Sequence, residues 1–288
     1  MRLFRRREFI PVLRLSGPIG MATPLRPGLS LATLAGPLEK AFKSSKLAGV
    51  AIAINSPGGS PVQSNLIFNR IRHLAKENNK RVHVFCEDVA ASGGYYIAVA
   101  GDEIYADPSS IVGSIGVISQ GFGFQKALEK YGIERRVYTS GLNKGSLDPF
   151  LPEKAEDIER LKALQADVHE VFMGVVKARR GAKLTGDESD LFSGAFWSAK
   201  RAVELGLIDG IGDMRSRMRE IYGPTVELRA VPLGRSGLLS RLRRSSGTGD
   251  VSFGLQSAVI PAWLQGDSLA GDVLSALETR SLWARFGL

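Results

Sequence analysis

Short, continuous apolar runs, each leading into a glycine turn, constrain this chain more than any other feature of its sequence. Val50-Ala51-Ile52-Ala53-Ile54 runs directly into Asn55-Ser56-Pro57-Gly58-Gly59. Residues 81–87, with Val82, Val84 and Phe85, lead toward Ala90-Ala91-Ser92-Gly93-Gly94. A strand that is apolar on both faces leaves no side for water, so it belongs inside a parallel sheet covered by helices. Between the two runs, Ile67, Ile71, Leu74 and Ala75 recur at i, i+4, i+7 and i+8, the stripe of a helix over 61–78.

The alternation continues along the chain. Strands are predicted over 8–16, 103–106, 114–119 and 136–139, and an edge strand over 226–231. Helices are predicted over 31–43, 92–100, 124–131, 153–179 and 199–205, the fourth with Ile158, Leu161, Val168, Phe172 and Val175 along one side. Residues 17–27 form a Pro/Gly-rich loop. This order predicts an α/β core with mostly parallel pairing. Residues 236–250, rich in Ser, Gly and Arg, read as a linker, and the weak amphipathic patterns after them predict no definite element.

Charge and cysteine narrow the setting. The net charge is +9, concentrated at Arg2, Arg5, Arg6 and Arg7 and again at Arg235, Arg241, Arg243 and Arg244. No aromatic-interleaved basic stripe accompanies these clusters, so nucleic acid is not an expected partner. Leu and Phe flank them, which suits peripheral contact with an anionic membrane surface; ordinary solvated charge accounts for them equally well. Cys86 is the single cysteine, so no intrachain disulfide can form, which suits a reducing compartment. It sits in an apolar run and reads as a packed strand residue, with a nucleophile as the lesser alternative. No stretch reaches the ~20 apolar residues of a membrane span. The first residues begin like a signal-peptide n-region, but Arg14 interrupts the apolar part, so the segment is expected to be neither cleaved nor spanning. The expected location is the cytoplasm, with a peripheral place on the inner face of the membrane as its variant.

Three polar loops could carry chemistry: Asn55–Gly59, Ala90–Tyr96 and Ser140–Ser146. Each is expected at the carboxyl end of a strand, where functional groups of open α/β sheets gather. Two glycine turns beside one serine could aim two backbone N–H donors at one oxygen, the requirement of an oxyanion hole. Taken singly, each turn reads better as an ordinary strand-to-helix connection, with Ser92 as a helix cap. A serine nucleophile needs a base. His73 and His169 fall in predicted helices and His83 in a strand interior, none beside a glycine turn. The other possible base is a lysine. Holding a lysine neutral near pH 7, against an ordinary pKa of ~10.4, costs roughly 4–5 kcal/mol and requires a packed pocket. The residues alone do not select which lysine has one.

NSPGG at 55–59, AASGGYYIA at 90–98, ADPSSIVGSIGVI at 106–118, SGLNKGSLDPF at 140–150 and LGLIDGIG at 205–212 stand in an order and spacing that resemble the protease IV, or signal peptide peptidase A, family of serine–lysine peptidases. The resemblance runs from about Val50 to Gly212. It implies Ser92 as nucleophile, Lys144 as general base, Ser114 as the residue that orients the lysine, and Gly59 and Gly93 as the oxyanion-hole donors. It implies a Clp/crotonase-like spiral of βαβ units with outer helices, a homo-oligomer, peptide substrates with small or apolar side chains, and chemistry that requires no metal or cofactor. The peptidase unit is then expected over 1–235, with a linker and tail over 236–288. Ala199 stands where the family usually has glycine. An acyl-CoA enzyme of the crotonase type, or a non-catalytic membrane-associated scaffold, are the alternatives; neither needs both Ser92 and Lys144.

Overall fold

A computed structural model describes residues 8–20, 28–233, 277 and 280–288. The two arginine clusters, and with them the membrane-surface reading, lie outside the described residues, as does the expected linker. In chain order the elements are β1 (Phe9–Ser16), α1 (Leu31–Lys43), β2 (Gly49–Ser56), α2 (Pro61–Glu77), β3 (Arg81–Ala91), α3 (Gly93–Ala98), β4 (Glu103–Ala106), β5 (Ile111–Gly113), α4 (Gln125–Lys130), α5 (Ala155–Arg180), α6 (Glu188–Leu191), β6 (Phe196–Ser198), α7 (Ala199–Glu204), β7 (Gly210–Ile211), α8 (Met214–Tyr222) and β8 (Glu227–Ala230).

The apolar runs make the centre of the sheet. All eight residues of β2 are buried. The strands lie in the order β6-β5-β3-β2-β1-β8, with β4 pairing β3 and β7. Every pairing is parallel except β5 with β6. The long strand β3 changes partner along its length. His83–Cys86 pair with β4, and Val89–Ala91 pair with β5. This brings the carboxyl ends of β2, β3 and β5 together, directly before Ser92.

Helices cover both faces, as strands without a polar side require. On one side Leu34, Leu38 and Phe42 of α1, Ile67 and Ile71 of α2, Tyr95 and Ile97 of α3, and Phe172 and Val176 of α5 share a core with β2 and β3. On the other, Met218 of α8 packs with Ile10, Ala51, Phe85 and Tyr105. Local signals start the helices: Ser30 and Thr33 form a reciprocal capping box on α1, and Ser60 caps α2 with Pro61 at its first position. No helix among the described residues is long and apolar enough to cross a membrane.

Two predicted strands are absent. The chain leaves the sheet at Gly113, with φ +114, and Ser114 turns it away with φ 54, so 114–119 is not a strand. Residues 136–139 are exposed and pair with nothing in the sheet. They belong to an outward arm, 118–154, in which only five side chains are even half-buried. The apolar pair Val137 and Tyr138 gives a strand-like local pattern, but a strand also needs a neighbouring ladder.

Candidate active site

The site begins with an irregularity in β2. Register shifts between Ile54, opposite Cys86, and Ser56, opposite Ala90. Asn55 fills the gap: its Nδ2 donates to Asp88 Oδ2 at 2.5 Å, and the Val89 N–H donates to its Oδ1 at 3.2 Å. A bulge of this kind bends the strand and re-aims the residues beyond it, here the turn Pro57–Gly59. That turn docks on β1's continuation: the Ile19 N–H donates to Gly58 O at 2.9 Å, and the Ser60 N–H donates to Ile19 O at 2.8 Å. The Gly59 N–H lies between these two bonds, and no hydrogen bond uses it among the described residues.

Ser92 joins β3 to α3 in a backbone conformation few non-glycine residues adopt, φ 51 and ψ −123. Strain of this type costs on the order of 1–3 kcal/mol and persists only where the surroundings impose it. They do so here: the Ser92 N–H donates to Gly113 O at 2.8 Å. The hydroxyl makes no capping bond to α3, so the reading of Ser92 as a simple helix cap does not hold. The half-buried side chain lines an apolar cavity of about 550 Å³ instead.

The two glycine turns meet beside it. Gly93 opens α3, where a helix supplies no acceptor for the N–H. A Cβ at Gly93 would lie 3.4 Å from Gly59 N and would strike Ser64 Oγ; one at Gly58 would lie 2.7 Å from Ser92 Cβ. The absence of side chains at these positions is what lets two unused amides approach the serine together. Ser114 is buried next to Gly113 and its N–H donates to Ala195 O at 2.7 Å. It therefore flanks the carbonyl that fixes Ser92.

Lys144 stands apart. It is exposed in a turn of the outward arm, its N–H donating to Gly141 O at 3.2 Å, and it is not among the residues lining the Ser92 cavity. Its loop does not follow a strand, contrary to expectation. Ser92, Gly59, Gly93 and Ser114 are thus gathered within one chain, and Lys144 is not among them. Cys86 is buried in β3, and burial pushes its thiol up to about 12, which removes it as a nucleophile.

Much of the cavity wall has no local cue in the sequence. Ile19, Tyr96, Val168 and Phe172 line it. Tyr96 is held in place by a hydrogen bond from its hydroxyl to Asn65 Oδ1 at 3.0 Å and by the Phe172 ring 4.8 Å away. His169, expected only as a helix residue away from the glycine turns, has its Nε2 3.2 Å from Ile115 O, so α5 is tied to the loop carrying Ser114.

Comparison with known proteins bears on what this arrangement is. A model described as "Peptidase family S49" matches residues 74–222, more than half of the chain. The chain is 58% identical, over an alignment of 289 positions that covers all of this chain and 38% of the relative's, to a protein of Brucella abortus (strain 2308) named "Na(+)/H(+) antiporter NhaA". It is 32% identical over 263 residues to "Serine protease SPPA, chloroplastic" of Arabidopsis thaliana, across 88% of this chain and 37% of that one. It is 31% identical over 175 residues to "Putative signal peptide peptidase SppA" of Enterococcus faecium, across 61% and 50%. The chain spans half or less of the length of these curated relatives.

Proposed function

The chain belongs to peptidase family S49 and is a serine-type peptidase; from that premise we propose that it cleaves peptide bonds with Ser92 as nucleophile and Lys144 as general base. One observation carries the reading: a strained serine faces an apolar cavity with the unused N–H groups of Gly59 and Gly93 converging beside it. The amine of Lys144 takes the hydroxyl proton as Ser92 Oγ attacks the carbonyl carbon. The two amides hold the oxyanion, each worth about 3–4 kcal/mol of barrier. The ammonium then protonates the leaving amine, and water hydrolyses the acyl-enzyme. Ser114 orients the amine.

The base comes from a second copy of this chain. The arm that carries Lys144 also exposes the large apolar side chains of Phe122, Tyr131, Tyr138 and Leu142, and exposed apolar surface of this kind marks contact sites. A homo-oligomer covers that surface and delivers Lys144 to a neighbour's Ser92. The strand β3, passing from β4 to β5, supports a Clp/crotonase-like spiral of βαβ units. The peptidase unit is taken to end near 235. The apolar cavity suits peptides with small or apolar side chains, signal-peptide remnants among them. The Brucella relative carries an antiporter's name on a chain of which most lies outside the match; a peptidase unit joined to a membrane protein supports work at a membrane surface for this chain too.

The test is complementation. Ser92→Ala and Lys144→Ala proteins each lose hydrolysis and keep their fold by circular dichroism. Mixed and allowed to exchange subunits, they recover part of it, because some sites then pair an intact serine with an intact lysine. Wild-type rates in Lys144→Ala, or equal rates from acid to alkaline pH, would remove the lysine base. Two inactive single variants with no recovery on mixing would return the dyad to one chain.

A further inference from the structure

We propose that residues 280–288 form one wall of the substrate cleft and that Arg285 on this wall selects peptides carrying a carboxylate near the scissile bond. The inference rests on Ser92 being the nucleophile. Residues 280–284 are helical and the chain then turns. Phe286 is 7% exposed and packs with Val89 and Ala91 at the end of β3, together with Ile111 and Trp283. Its ring meets Phe196 edge-on at 5.1 Å. The anchor thus bears on the residue that immediately precedes Ser92.

The side chains alternate in purpose. Trp283 and Phe286, three apart, face the domain; Leu282 and Arg285, also three apart, line the cavity that holds Ser92. The cavity retains about 550 Å³ with the segment in place, so the segment bounds the space and does not fill it. Its lining is otherwise apolar or neutral. Among the described residues, Arg285 is the one lining residue with a full charge and no acid lines the cavity; its guanidinium lies 5.9 Å from the centre of the Phe286 ring, with no acidic partner. A guanidinium beside an apolar space discriminates strongly for a carboxylate, which it binds through two parallel N–H donors. That carboxylate belongs to an Asp or Glu side chain or to the free C-terminus of a short peptide.

The test uses the full chain and three peptides matched in their apolar residues: one neutral and amide-capped, one with a single Glu, and one with a free C-terminal carboxylate. The wild type should cleave one or both acidic peptides with kcat/KM roughly tenfold or more above the neutral one. Arg285→Gln should abolish that ratio and Arg285→Glu invert it. Whichever acidic peptide carries the effect identifies the source of the carboxylate. Phe286→Ala, which loosens the anchor, should lower the same ratio. An unchanged ratio in Arg285→Glu would overturn the proposal, as would a rise in cleavage of all three peptides alike in Phe286→Ala, the mark of a covering segment. A serine-directed phosphonate labels Ser92 in the wild type and in both Arg285 variants. Failure to label the wild type would overturn the Ser92 reading and this inference with it; labelling with an unchanged ratio would overturn the inference alone.

Discussion

His83 is fully buried between β4 and α8, with Nδ1 3.0 Å from Glu103 Oε2 and Nε2 2.9 Å from the Tyr222 hydroxyl. Burial lowers its pKa, and the Glu103 carboxylate only partly opposes this. The fold therefore holds His83 neutral more firmly than the unfolded chain does. Below the unfolded value of ~6.5 the unfolded state takes up the proton first, so stability present above that pH is lost as pH falls toward the depressed folded value. The midpoint of urea denaturation should drop between neutral and mildly acid pH, and His83→Gln should flatten that drop at the cost of a lower midpoint at pH 7. An equally steep drop in the variant would assign the effect to other groups. The place of this residue in a strand is legible in the sequence. Its partners, 20 and 139 positions away in the chain, are not.

The approach of α3 to α2 decides the geometry beside Ser92. α3 begins with two glycines because neighbouring backbone and side chains occupy the space a Cβ would take: Ser64 Oγ at Gly93, and Ser56 O at 2.5 Å from a Cβ at Gly94. Gly93→Ala should destabilise the fold by about 1–3 kcal/mol and reduce activity sharply. Much of that collision is with the single atom Ser64 Oγ. Ser64→Ala should therefore recover stability in the double variant, with a coupling of about 0.5–3 kcal/mol in a double-mutant cycle measured by urea denaturation. Additive effects would mean that Ile19, 3.2 Å from the same Cβ, sets the limit instead. Long periodic elements were legible: α1 spans its predicted residues, and α5 differs from prediction by two residues at its start and one at its end. β6 and β7, of three and two residues, are too short to hold a period and exist because a neighbouring strand offers a ladder.

For the molecule as a whole, the outward arm is the feature a single chain leaves unexplained. It is ordered within itself: Phe124 stacks on Phe150 at 5.5 Å, and Arg135 pairs with Asp148 at 2.6 Å. Its outer side nevertheless presents Tyr138 at 92% exposure and Leu142 at 101%. Side chains so exposed contribute nothing to the folding of one chain. For the assembly proposed above, Tyr138→Glu with Leu142→Glu should leave the urea midpoint of the isolated chain unchanged, shift sedimentation to the single-chain mass, and lower hydrolysis roughly hundredfold or more by misplacing the proposed base. A double variant that still assembles and still cleaves would mean that the arm is not the contact.

The α/β class, the parallel centre of the sheet, and the set of groups at the ends of its strands are all written in the order of residues, because continuous apolar runs and glycine turns are local patterns with few structural solutions. Three features are settled only when the chain is folded: a bulge at Asn55 swings Gly59 toward Gly93, Lys144 rides on an exposed arm away from Ser92, and Leu282 and Arg285 border the same cavity. Each of these depends on contacts between segments far apart in the chain. Such contacts are fixed by register and packing, and they leave no periodic trace in either segment.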